Sequence, residues 1–197
     1  MAWQHSAPIV SVPKNINPDF FLEVSRGNIE GVSSLHKFGL VPSVDSNSVP
    51  EDVWELGGEY NFSSIADIDT VSSDNALDTQ TIKVLGLNNN WDSTIQDVVL
   101  NGQNKVALSN SLVRLFRTFN ISNIDNVGTI YCYVNGDITN GVPDNVGNVR
   151  GIILPNKNQT LMAIFPIPQG KTGYLYQWYA TIGGTIAGVS REIDVEL

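Results

Sequence analysis

Few residues in this chain have the chemistry for catalysis or metal binding. The one cysteine, Cys132, lies in the apolar run 129–134, and the only histidines are His5 and His36. A cysteine nucleophile needs a nearby base to take its proton. Within a strand-like run the better reading of Cys132 is a small buried hydrophobe. His36 sits beside Lys37 and Phe38 with no His or Cys at ligand spacing, so it reads as a surface hydrogen-bonding group. Asp67, Asp69, Asp74 and Asp78 raise the question of calcium. Their run, DIDTVSSDNALD, lacks the central Gly and terminal Glu of a hand-type loop, so a solvated acidic loop is expected. Gly170-Lys171-Thr172-Gly173 has the ending of a phosphate loop but no upstream glycine at the needed spacing. The residues after it are strand-like rather than helical, so it reads as a hairpin turn. No GxGxxG or GxSxG occurs, and no catalytic, cofactor-binding or metal residue is assigned.

Composition narrows the function further. The net charge is −9, and the few cations are scattered, with Arg114 and Arg117 the nearest thing to a cluster. That argues against nucleic acid, whose phosphates demand grouped Lys and Arg. Charged residues make up only 16% of the chain, against roughly 25% in ordinary globular domains. Apolar residues make up 42%, so a folded core is expected. No run approaches the ~20 apolar residues of a membrane-spanning helix. The start, MAWQHSAPIVSVPKN, has neither a basic head nor a continuous apolar segment, so no secretory signal and no membrane partner are expected.

The elements that position these residues read as strands. In 81–120, Ile82, Val84, Leu85 and Leu87 mark one strand, and Ile95, Val98, Val99 and Leu100 a second. Asn101-Gly102 is a tight turn, because both residues tolerate φ > 0. A third strand holds Val106 and Leu108, and a fourth runs from Leu112 to Ile121. Short strands at this spacing predict an antiparallel meander. Further strands are expected at 128–134, 149–154, 159–167, 174–182 (as a core strand) and 187–197, with 64–71 as an edge strand and 135–148 as a long loop. Glu51–Leu56 predicts one short helical turn with Asp52 near its start. Trp54 and Tyr60, large aromatics in a loop-rich stretch, either pin that loop to the core or fill a contact pocket. Phe20, Phe21, Leu22 and Val24 read as a first strand, preceded by an apolar extended arm set by Pro8, Pro13 and Pro18. The expected fold is all-β, an antiparallel β-sandwich or jelly-roll-like barrel with an extended N-terminal arm. Its parts are 1–26 (arm and first strand), 27–80 (loop-rich docking region) and 81–197 (sandwich core).

Three segments carry a family resemblance. FFLEVSRGNIEGVSSLHKFG at 20–39 with EDVWELGG at 51–58 is the first. TIKVLGLNNNWDSTIQDVVLNG at 81–102 with VRLFRTF at 113–119 is the second. NQTLMAIFPIPQGKTGYLYQWYATI at 158–182 is the third. Together they resemble the small virion structural proteins of tailed bacteriophages, across most of the chain. The resemblance implies a non-enzymatic particle component without cofactors, made in the host cytoplasm and located in the virion. A capsid cement or decoration protein is the leading expectation, contacting the major capsid protein or other virion proteins and forming a homo-oligomer, with a trimer favoured. Trp3, Ile9, Val10, Phe20, Phe21, Trp54 and Tyr60 are then the expected assembly contacts. The alternative is a tail, neck or fibre component that binds a host-surface glycan.

Overall fold

A computed structural model describes residues 19–44, 50–184 and 191–196, the last of these by backbone alone. The chain divides into two units, Met1–His36 and Lys37–Leu197. The expected arm, with Trp3, Ile9 and Val10, lies outside the described residues. In the first unit the expected strand at Phe20 and Phe21 is instead a short helix, α1 (Phe20–Ser25). The Asp19 carboxylate caps it, accepting from the backbone N–H groups of Phe21 (3.0 Å) and Leu22 (3.4 Å). Ser25 donates back to the Phe21 carbonyl at 2.8 Å, and Arg26 pairs with Glu23 at 2.9 Å. The cap and the (i, i+3) ion pair favour helix where the aromatic side chains alone suggest strand.

The second unit is built from antiparallel sheets. A four-stranded sheet has the order β10 (Val149–Ile153), β7 (Ile130–Val134), β2 (Ile68–Ser73), β5 (Val106–Leu112). A three-stranded sheet has the order β4 (Ser93–Val99), β3 (Thr81–Leu87), β6 (Arg114–Asn120). The two face each other across a core that includes Ile68, Val71, Ile82, Val84, Leu112, Leu115, Ile130, Cys132 and Ile153. This is the packing of a β-sandwich, as the alternation predicts.

The expected meander is not the arrangement that forms. β3 and β4 make a hairpin paired over its full length, Thr81↔Val99 to Leu87↔Ser93. The chain then crosses to the other sheet, where β5 pairs with β2, and returns as β6 to pair with β3. The crossing point is Val113, whose N–H donates to the Leu87 carbonyl at 2.8 Å. One extended run thus serves both sheets, turning the corner at a single residue. Turn spacing reports which strands are consecutive, not which sheet each joins.

β2 is interior, not an edge strand: it pairs with β7 on one side and β5 on the other. Its polar end suggests exposure, yet Ser72 and Ser73 are fully buried. The Ser72 hydroxyl donates to the Gly141 carbonyl at 2.7 Å and lies 3.0 Å from the Tyr133 hydroxyl. The Ser73 hydroxyl donates to Asp78 at 2.5 Å. Buried hydroxyls are tolerated when they are paired in this way.

The outer face of the four-stranded sheet is covered by chain without regular structure. Trp54, Tyr60, Val149, Ile152 and Met162 form a second core there. The stretch 159–167, expected as a strand, runs instead as an extended strap with changing partners. Thr160 donates to Thr118 at 2.8 Å, Leu161 accepts from Leu40 at 2.9 Å, and Ala163 donates to Val53 at 2.8 Å. Pro166 and Pro168 withhold two donors, which suits a strap better than a ladder.

A third sheet joins β1 (Phe38–Val44), β12 (Arg191–Glu196) and β11 (Tyr179–Gly184), in that order. The loop 135–148 carries a small hairpin of β8 (Ile138–Thr139) and β9 (Val142–Pro143).

Candidate functional site

The groups with chemical potential are mostly built into the scaffold. Cys132 is buried in the central core, and burial pushes its thiol up to about 12. A thiol held neutral in this way is not a nucleophile at physiological pH. Asp78, expected in a solvated loop, is fully buried. It accepts from Ser73, from Gln80 (3.1 Å), and from the N–H groups of Val127 (2.8 Å) and Gly128 (2.9 Å). Asn126, also buried, donates to the carbonyls of Gly128 (2.7 Å) and Leu154 (3.0 Å). Together they clamp the loops at 74–80, 126–129 and 154–158, which is a structural role. Among the described residues, no group of three or more His, Cys, Asp or Glu is arranged to hold a metal ion. No helix among them is long and apolar enough to cross a membrane.

Beneath the strap lie Lys37 and Glu55, both buried. Burial lowers Lys37 to about 8, with the Arg117 charge adding to the effect and Glu55 opposing it. Burial raises Glu55 to about 8, against the pull of the Leu161 and Glu55 backbone N–H groups, Lys37 and Lys157. The Lys37 ammonium donates to the Phe116 carbonyl.

Trp54 and Tyr60 do pin their loop to the core. The two rings meet edge to face at 4.9 Å, the Trp54 indole N–H donates to the Gly58 carbonyl at 3.2 Å, and the Tyr60 hydroxyl donates to the Arg150 carbonyl at 2.9 Å. The helical turn expected over 51–56 shrinks to a single hydrogen-bonded turn, the Gly57 N–H donating to the Trp54 carbonyl at 3.0 Å, with no helix formed. The loop is closed instead by carboxylates: Asp52 accepts from the Tyr60 N–H at 2.7 Å and Glu51 from the Gly58 N–H at 2.7 Å. Both rings are buried, so their effect on any partner passes through the shape of the loop. Phe20 and Phe21 are exposed on α1.

Two exposed surfaces among the described residues group aromatic rings. In the first, Arg114 lies between two rings, 5.3 Å from Phe62 and 4.8 Å from Trp91. Its guanidinium also donates to the Ser63 carbonyl and, at 2.8 Å, to Val113. Trp91 takes φ +61° at the tip of the β3–β4 hairpin. The Asn88 side chain shapes that tip by accepting from the Asn90 and Asp92 N–H groups at 2.8 and 3.1 Å. The rings stay half open, Phe62 52% and Trp91 38% exposed.

The second surface is the stretch whose alternation predicts a core strand. Tyr174, Leu175, Tyr176, Trp178, Tyr179 and Ile182 are instead all exposed. Strand begins only at Tyr179, in β11, the edge of the third sheet, which runs on to Gly184. The aromatic alternation is real, but alternation assigns residues to two faces and does not say what covers either one. The stretch 172–184 also carries no charged residue, a feature visible in the sequence that marks it as unusual on a chain of net charge −9.

No family model, no curated protein and no solved structure matches this chain.

Proposed function

We propose that this chain is a non-enzymatic structural protein of a tailed-phage particle, acting as a capsid cement or decoration protein that stabilises the head lattice through contacts with capsid subunits and with copies of itself. The observation that carries the reading is the exposed, uncharged aromatic surface at 174–182, mounted on an all-β scaffold. Exposed apolar area of this extent on a folded protein marks an interaction surface. The sequence resemblance to phage virion proteins supplies the setting. A second reading, a tail or fibre component that binds a host glycan, draws on the half-open Phe62 and Trp91 rings beside Asn88, Asn90 and Asp92. Planar rings next to amide and carboxylate groups suit sugar stacking.

Immunogold labelling of purified particles with an antibody to this chain separates the two. Gold spread over the head in lattice-like numbers is the expected result. Gold confined to tail or neck favours the glycan reading, and unlabelled particles with the protein only in lysate overturn both.

A further inference from the structure

We infer that the β11 edge is a self-association surface, pairing antiparallel with β11 of a second copy across a two-fold axis. It uses the surface that carries the proposed function, and it holds whether or not the chain belongs to a particle. It begins with the contrast between the two outer strands of the third sheet. β1 carries Pro42 and an irregular register between Val41 and Val44, and the Leu40 N–H donates to the strap at Leu161. Those are the features that blunt an edge against pairing. β11 has none of them. Its register with β12 is unbroken from Tyr179↔Glu196 to Gly184↔Arg191. It holds no Lys and no Pro, and among the described residues no strand pairs with its other side. A regular, uncharged edge strand is a template for another strand.

Area and charge point to the same occupant. Tyr174, Leu175, Tyr176, Trp178, Tyr179 and Ile182 are between 56% and 89% exposed. At roughly 200 Å² for a large side chain, they present about 800 Å² over both faces of the segment, so pairing must engage 174–178 as well as β11 to approach the amount each partner contributes to a stable interface. Two copies of an acidic chain repel at long range wherever they meet, so contact costs least through an uncharged segment; 172–184 is uncharged, with Glu192, Asp194 and Glu196 held one strand further in, on β12. Crossing the two strands near Ala180 carries the ladder one residue beyond the start of β11 at Tyr179 and sets Trp178 opposite Ile182 of the second copy, an aromatic–β-branched pair of the kind that stabilises antiparallel ladders. Because each strand meets an identical strand, the contact is isologous and closes as a dimer, not as the three-fold assembly expected from sequence.

Light scattering on the purified full chain tests this. The expected mass is that of two chains of 21.5 kDa each. Ile182→Lys places a charge in the pairing face and is expected to weaken association roughly tenfold or more, with far-UV circular dichroism unchanged. Ala180→Cys gives a second readout that leaves the interface intact. Directly opposed Cα atoms in an antiparallel pair lie about 4.5–5.5 Å apart, within disulfide reach, while the native Cys132 is buried. Mild oxidation of this variant is expected to give a covalent dimer. A monomeric wild-type chain, meaning that some other segment or partner covers β11, overturns the inference. So does a trimer, an oligomer unaffected by Ile182→Lys, or an Ala180→Cys variant that does not cross-link.

Discussion

Lys37 and Glu55 make stability depend on pH in opposite directions. Glu55 ionises near 4.5 in the unfolded chain and about 8 in the fold. Between those values the folded state holds a proton that the unfolded state has lost, so stability falls as pH rises through that window. Lys37 ionises near 10.5 unfolded and about 8 folded. Between those values the unfolded state holds the extra proton, and stability returns as pH climbs. The pair therefore predicts a stability minimum near pH 8. The urea midpoint of the wild type should drop between about pH 5 and about pH 8, whereas Glu55→Gln, which keeps the shape and cannot ionise, should flatten that limb. A wild-type midpoint that rises over the same window would mean that Glu55 is ionised in the fold. Nothing in the sequence marks these two residues, eighteen positions apart by number, as burial partners. The strap that buries them forms a core only with distant strands.

At the scale of elements, the tightest constraint is where β3 meets β6. Their register shifts between Leu85 and Gly86, and a Cβ on Gly86 would overlap the Arg114 carbonyl oxygen and lie 2.6 Å from Leu112 Cδ1. Both neighbours belong to the corner where the chain changes sheets, so neither has freedom to move aside. Gly86→Ala should cost about 2–3 kcal/mol in equilibrium unfolding; a cost under about 0.5 kcal/mol, typical of surface changes, would show that the corner yields. The same element shows how far a sequence can be read. Thr81–Leu87, Ser93–Val99, Ile130–Val134 and Val149–Ile153 are legible because alternation and turn residues are local properties. The route of β5 into the other sheet is not, because strand pairing is decided by cores that local spacing does not describe. β2 reads as an edge although it is interior, because its buried serines are satisfied by Tyr133, Gly141 and Asp78, which are distant or buried in ways that composition does not announce. The exposed surface at 174–182 misleads for a related reason: alternating aromatic residues look the same in sequence whether the fold covers them or leaves them exposed.

For the whole molecule, the balance between charge and apolar surface makes a separate prediction about assembly. Each copy carries −9, so two copies approaching through β11 repel at long range while the neutral strand face attracts at contact. Salt screens the first effect, with a Debye length of about 20 Å at 0.02 M falling to about 7 Å at 0.2 M. It leaves the burial of aromatic area nearly untouched. Self-association should therefore tighten as salt rises over that range, read as a dissociation constant from sedimentation equilibrium that falls severalfold. Ion-pair interfaces respond the other way, because screening weakens the attraction that holds them. A dissociation constant that climbs with salt would place the contact on the charged surface, away from 172–184, and would require a different face for assembly. The expected direction would instead explain why a chain with so few charges elsewhere leaves this aromatic stretch bare of them: a single Lys or Glu there would bring the repulsion into the contact itself.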